Sequence, residues 1–244
     1  MMKASELVKR LVDIAEHYRT VYMWGTFGQP LDSNLIKSRA GQYPEWYTKE
    51  KQLKLLEYTK LPYYGFDCVG LIKGILWGWN GERDKSHGGA VYTSNGVPDT
   101  SADGMIKLCR DVSNSFKADI PIGAALWTPG HIGVYIGGGL AAECTPAWRN
   151  CVQVTAVGNI GEQKDYAVRT WQKWGLLPWV DYETVKDEGG FGRMGEDASE
   201  WARDACAWAV GNKIINGDGA GNYYWQAPVT RETLALVLYN MSQK

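Results

Sequence analysis

The hydrophobic pattern of the chain changes period part-way along. Leu7, Leu11, Ile14 and Tyr18 recur at i, i+4, i+7 and i+11, which predicts an amphipathic helix over about Ser5–Tyr18. Val69, Ile72 and Leu76, with Leu71 and Ile75 beside them, predict a mostly buried helix whose first residue is Cys68. Asp67 precedes it and suits the N-cap, where a carboxylate accepts from the unpaired N–H groups of the first turn. Met105, Leu108, Val112 and Phe116 predict a third helix within Ser101–Lys117. From Gly123 the pattern becomes that of strands: Gly123–Trp127, His131–Ile136, Leu140–Cys144 and Cys151–Val157. The turns Thr128-Pro129-Gly130 and Gly137-Gly138-Gly139 are too short for crossovers, so these strands are expected to be antiparallel neighbours. Helices followed by an antiparallel sheet make an α+β domain, expected to cover residues 1–181.

The stretches between are less regular. Tyr22–Gly28 is short, aromatic and punctuated by glycines that bring backbone close to something. Gln29–Pro44 is polar and turn-rich, and Glu45–Lys60 carries Trp46, Leu53, Leu56 and Tyr58 among many charges, as a surface helix would. Residues 29–64 therefore read as an insertion. Residues 78–100 are loop, with His87 expected to be exposed and idle. Residues 182–199 read as a linker. Beyond it, Trp201, Ala205, Trp208 and Ala209 form one helical face, and Thr230 caps a last helix with Leu234, Val237, Leu238 and Met241 inward. Residues 200–244 make a small helix-loop-helix module.

Composition narrows the function. With 26 basic and 27 acidic residues there is no charge excess to favour nucleic acid. No apolar run is long enough to span a bilayer. Met1–Tyr22 carries charges throughout and lacks a secretory signal's apolar centre, so synthesis in the cytoplasm and release by another route are expected. Five scattered cysteines fit neither a disulfide framework nor a zinc site, and no cofactor or metal is implied. Twelve Trp and fourteen Tyr suit surfaces that hold sugars or peptides, although many must fill a core that has only four Phe.

Three residues carry candidate chemistry. Cys68 at a helix N-terminus sits where partial positive charge favours thiolate, the nucleophilic form. A nucleophile needs a base, and the chain has three histidines. His131 opens a strand just after a turn, and Glu143 lies twelve residues on in the next strand. A hairpin would bring the two together, letting Glu143 hold the imidazole and steady its cation. Glu143 sits among apolar residues, where an unpaired carboxylate is costly, so a charged partner is expected.

These residues resemble a family. Phe66-Asp67-Cys68-Val69-Gly70-Leu71 is similar to the F-D-C-S-G-L signature of NlpC-type cell-wall peptidases, and His131-Ile132-Gly133-Val134-Tyr135-Ile136-Gly137 to their H-V-G-I-Y-I-G strand. Glu143 falls at the family's third polar position, and Tyr22 matches its active-site tyrosine. Val69 stands in place of the usual serine and Glu143 in place of the commoner histidine, a change expected to strengthen a thiolate–imidazolium pair. The resemblance implies a papain-like fold and cleavage of an amide in the peptidoglycan stem peptide, between γ-D-glutamate and the diamino acid or between muramic acid and L-alanine. Trp201–Tyr239 resembles one S-layer homology module, in which Arg231 matches the wall-polymer arginine of the T-R-A-E motif, with Trp201 on the same module. Together they imply a phage or prophage endolysin, with secondary wall polymer as a partner and no membrane or nucleic acid. Two other readings stand beside it: a non-catalytic wall-binding protein, and a cytoplasmic acyltransferase or deamidase.

Overall fold

The computed structural model describes residues 1–116 and 120–182, and single residues of the tail at 206, 209, 215, 234, 235 and 237–239. The chain forms two compact units, Met1–Tyr182 and Glu183–Lys244.

In the first unit, β1 (Met2–Lys3) leads into α1 (Ala4–His17), which buries Leu7, Leu11 and Ile14 on one face, as its periodicity predicts. Then come β2 (Thr20–Tyr22), β3 (Phe27–Pro30), α2 (Ser33–Gln42), α3 (Lys49–Tyr58) and β4 (Tyr64–Phe66). After β4, α4 (Cys68–Leu76) is followed by α5 (Ala102–Leu108) and β5 (Arg110–Ser113). The rest is strand: β6 (Ala125–Thr128), β7 (His131–Gly137), β8 (Leu140–Thr145), β9 (Cys151–Val157), β10 (Val168–Arg169), β11 (Lys173–Leu176) and β12 (Val180–Asp181). Seven strands form one sheet in the order β10-β9-β8-β7-β6-β11-β5, antiparallel except at β9–β10. The sequence-predicted strands are β6 to β9. The arrangement is α+β.

The principal core lies where α1 and α4 meet one face of this sheet, through Ile132, Val134, Ala142 and Cys144. Every residue of α4 is buried. Its glycines allow this. A Cβ on Gly70 would lie 1.9 Å from the Thr26 carbonyl oxygen, and one on Gly74 2.3 Å from that of Phe27. The helix therefore rests directly on backbone at β3.

Several expectations change. Residues 29–64 are tied into the domain. Within them α2 is capped by Asp32, whose side chain accepts from the Leu35 N–H. It buries only Ile36, so it leaves no apolar stripe for a sequence pattern to reveal. Pro30 pairs with Tyr64 in the small sheet β2-β4-β3, and Leu31, Ile36, Tyr47 and Leu55 form a second core with Val21 and Met23. The third helix is shorter than its apolar spacing predicts. It ends at Leu108, and the chain becomes edge strand β5; Leu108 and Val112, expected inward, are exposed. Pairing with β11 outcompeted helical propagation there. His87 is half-buried, its ring 5.0 Å from that of Phe27, and burial holds its pKa below the ordinary value.

Tyr182, placed at the head of the linker by the sequence reading, belongs to the first unit: its hydroxyl donates to the Gly123 carbonyl at 2.7 Å. Residues 183–199, Trp201 and Arg231 lie outside the described residues. In the second unit Ala209 is buried, but Leu234 and Leu238, expected inward, are exposed. No helix among the described residues is long and apolar enough to cross a membrane.

Gly70→Ala is expected to destabilise the protein by about 3 kcal/mol or more, the upper end for overpacking, because backbone blocks the added methyl. Denaturant unfolding measures this directly, and a loss under about 0.5 kcal/mol would contradict the close packing.

Candidate active site

The site begins with a two-residue transition. β4 ends at Phe66, Asp67 caps, and Cys68 opens α4. The Asp67 carboxylate accepts from the Gly70 N–H at 2.5 Å and the Gly25 N–H at 2.8 Å. Burial nevertheless holds its carboxyl above the usual range.

The Cys68 sulfur lies against the start of β7. Its thiol faces the Gly130 carbonyl at 4.0 Å, and the Ile132 N–H points to it from the other side of His131. The N–H groups of Ile132, Val69 and Cys68 itself favour thiolate. Burial works against them, and the neighbouring Asp67 carboxylate adds to it, so the thiol is pushed up to about 12. The expected resting thiolate is thus corrected. The helix-terminus effect is present, but desolvation of a buried sulfur outweighs it.

His131 and Glu143 do meet. Val134 pairs with Ala142 across β7 and β8, so the same register sets Gly133 opposite Glu143 and His131 one diagonal away on the same face. His131 Nε2 is 2.6 Å from Glu143 Oε2. This face is opposite to the one that packs on α4, so the imidazole stacks on Trp171, while the sulfur meets β7 at the backbone of Gly130 and Ile132. Gly133 makes the face possible: a Cβ there would lie 2.9 Å from the Trp171 ring and 3.2 Å from Glu143 Cβ. Trp171 fills that space and stacks on His131 at 5.6 Å and 15°.

Sequence reasoning missed the rest of the carboxylate's surroundings. Arg169 Nε donates to both Glu143 oxygens, at 2.9 and 2.8 Å, and the Thr155 hydroxyl donates to Oε1 at 2.7 Å. The guanidinium lies over Trp148 at 4.9 Å and Trp171 at 5.6 Å. Burial opposes the Glu143 charge, but its bonds to His131 and Arg169 prevail and hold its pKa below the ordinary carboxylate value. The signal was present: a glutamate in an apolar strand calls for cations, and only His131 was assigned to it. Arg169 therefore shares the Glu143 carboxylate with His131.

Tyr22 joins the site from β2. It is buried, and burial, the Cys68 sulfur and Asp67 all raise its pKa, so it stays a neutral phenol able to donate. Cys144 and Cys151 sit at adjacent rungs with opposite facing, Cys144 against Val152 and Cys151 against Thr145. Both are free, and the Cys144 thiol donates to the Phe66 carbonyl at 3.2 Å.

No protein-family model matches the chain, and no curated protein matches it.

Arg169→Met should cost about 3 kcal/mol in unfolding free energy, the low end for breaking a buried pair, since Arg169 is partly exposed. Because the folded Glu143 pKa is lowered, its stabilisation is present above the ordinary carboxylate range and lost as pH falls through the folded value. Much of the wild-type advantage over Arg169→Met should therefore vanish in acid unfolding. For Cys68, iodoacetamide labelling of the free protein at pH 8 should run about 100-fold slower than labelling of free cysteine, and keep rising through pH 10. Peptide mass mapping follows it residue by residue; a plateau near neutral pH would reveal a preformed thiolate.

Proposed function

We propose that the chain is a thiol hydrolase that cleaves an amide bond of the peptidoglycan stem peptide, on a papain-like domain of NlpC type. The observation that carries this is the pairing of His131 with Glu143 at 2.6 Å beside a sulfur bracketed by the backbone on either side of that histidine. Nucleophile, base and orienting carboxylate come from α4, β7 and β8, as thiol acyl transfer requires.

The steps follow from the resting state. Cys68 waits as a thiol, with Glu143 on His131 Nε2 leaving Nδ1 free to take a proton. As the scissile carbonyl arrives, His131 accepts the Cys68 proton and the sulfur attacks the carbonyl carbon. The oxyanion accepts from the Cys68 N–H and the Tyr22 hydroxyl. The imidazolium, steadied by Glu143, gives its proton to the leaving amine as the C–N bond breaks. Water, deprotonated by His131, then cleaves the thioester and restores the thiol. Arg169 and Thr155 keep Glu143 ionised and aimed.

The activity we assign is γ-D-glutamyl–diamino acid endopeptidase, with N-acetylmuramoyl-L-alanine amidase as the alternative bond, in an endolysin acting on the wall after release. Arg231 and Trp201, on an S-layer-homology-like module, would contact secondary wall polymer. A second reading, a wall-binding protein with an inert domain, draws on the raised thiol pKa. Cys68→Ala separates the two. It should lower turbidity loss of purified Gram-positive walls by about 10⁴-fold or more while the melting temperature is kept. Lysis retained by that variant refutes the thiol mechanism; walls untouched by the wild type favour the inert domain.

A further inference from the structure

The arm at residues 29–64 does more than decorate the domain. Its α2–α3 connection and the loop after β2 enclose an open groove of about 570 Å³, lined by Trp24, Gln42, Tyr43, Pro44, Glu45 and Trp46. Trp24 and Tyr43 are exposed, at 42% and 37%, side by side in this lining.

The groove is built onto the candidate active site. The Trp46 ring lies 6.0 Å from that of Tyr22, whose phenol senses the Cys68 sulfur. Gly25, with φ +76°, donates its N–H to Asp67, the cap of the Cys68 helix. A Cβ on Gly25 would lie 2.5 Å from Tyr43 Cε2, so Tyr43 packs flush on this turn. The Tyr47 hydroxyl donates to the Trp24 carbonyl at 2.7 Å and fixes the other side. One aromatic ring therefore separates groove from nucleophile.

We infer that this groove is a saccharide subsite, holding a neutral N-acetylated sugar of the glycan strand while the attached stem peptide runs past Tyr22 to Cys68. The inference rests on the peptidoglycan reading for its substrate, but the groove's chemistry argues for the sugar by itself. Exposed aromatic faces match the apolar C–H faces of a pyranose ring. Gln42 and Glu45 offer an amide and a carboxylate to hydroxyl and acetamido groups. Glu45 is the single charged residue of the lining; Lys51 is spent over the Trp46 ring at 4.2 Å and Arg39 donates to Gln42. The lining itself offers aromatic rings and neutral or accepting polar groups, the set a sugar ring with its hydroxyl and acetamido groups can use. The subsite makes glycan-linked stems the substrate class and places the cut close to the glycan.

The test uses the full chain carrying Cys68→Ala, titrated calorimetrically with an N-acetylglucosamine trimer. The trimer should bind, and adding Trp24→Ala should weaken it at least about fivefold. If Trp24→Ala fails to fold, Glu45→Ala at an exposed position decides by the same criterion. No binding to the parent, or affinity unmoved by the deciding variant, overturns the subsite. With active protein, kcat/KM for a disaccharide-linked tetrapeptide should exceed that for the same free tetrapeptide by at least about tenfold, and Trp24→Ala should shrink that ratio. Equal turnover of both overturns the subsite while leaving the hydrolase intact. Turnover of neither, with trimer binding that Trp24→Ala removes, overturns the hydrolase and leaves the sugar site standing.

Discussion

A carboxylate with no exposed surface governs this domain. Glu143 is fully buried, and a charge without solvent must be matched by neighbours. His131, Arg169 and Thr155 supply the match from β7, the end of β10 and β9. Four strands of one sheet, β7 to β10, are thereby tied together at the point where the chemistry is assigned. The same bonds that offset the cost of burial fix the imidazole's orientation, so stability and positioning share one origin. Trp171 closes the cluster, and it fits only because position 133 lacks a side chain.

This coupling also sets the electrostatic character of the site. Arg169 and His131 share one anion, Glu143. On the other side of β7 the sulfur sits in a dry environment beside a second carboxyl, Asp67. Burial favours the neutral thiol at rest. In the hydrolysis we propose, an arriving substrate would change the balance, because its polarised carbonyl would offer the developing negative charge a place among oriented N–H groups. On that proposal, reactivity would be contingent on occupancy, and the buried thiol would be spared idle oxidation.

Much of this was legible in the sequence wherever one local signal dominated. The β6–β9 strands, the two apolar helices and the Asp67 cap each rest on strict periodicity or on a single capping residue, and the diagonal of His131 and Glu143 follows from a twelve-residue spacing around a glycine turn. What could not be read depended on long-range pairing. Arg169 sits in a two-residue strand with no pattern of its own, and joins Glu143 only because β10 lies beside β9. α2 buries a single residue. The segment after Leu108 has helical spacing by coincidence, and its fate was decided by an edge of the sheet. Cys68 was located correctly, but its protonation depends on burial, which no local motif encodes.

The small sheet carries one further implication. Pro30 and Tyr64 are direct partners, so the polypeptide leaves for its α2–α3 excursion and returns at one rung of a ladder. Whatever is spliced between those two positions begins and ends at fixed points, and β4 still delivers its last residue to the same place. An exchange of the excursion that keeps this rung would still have to replace the packing of Ile36, Tyr47 and Leu55 on Val21 and Met23.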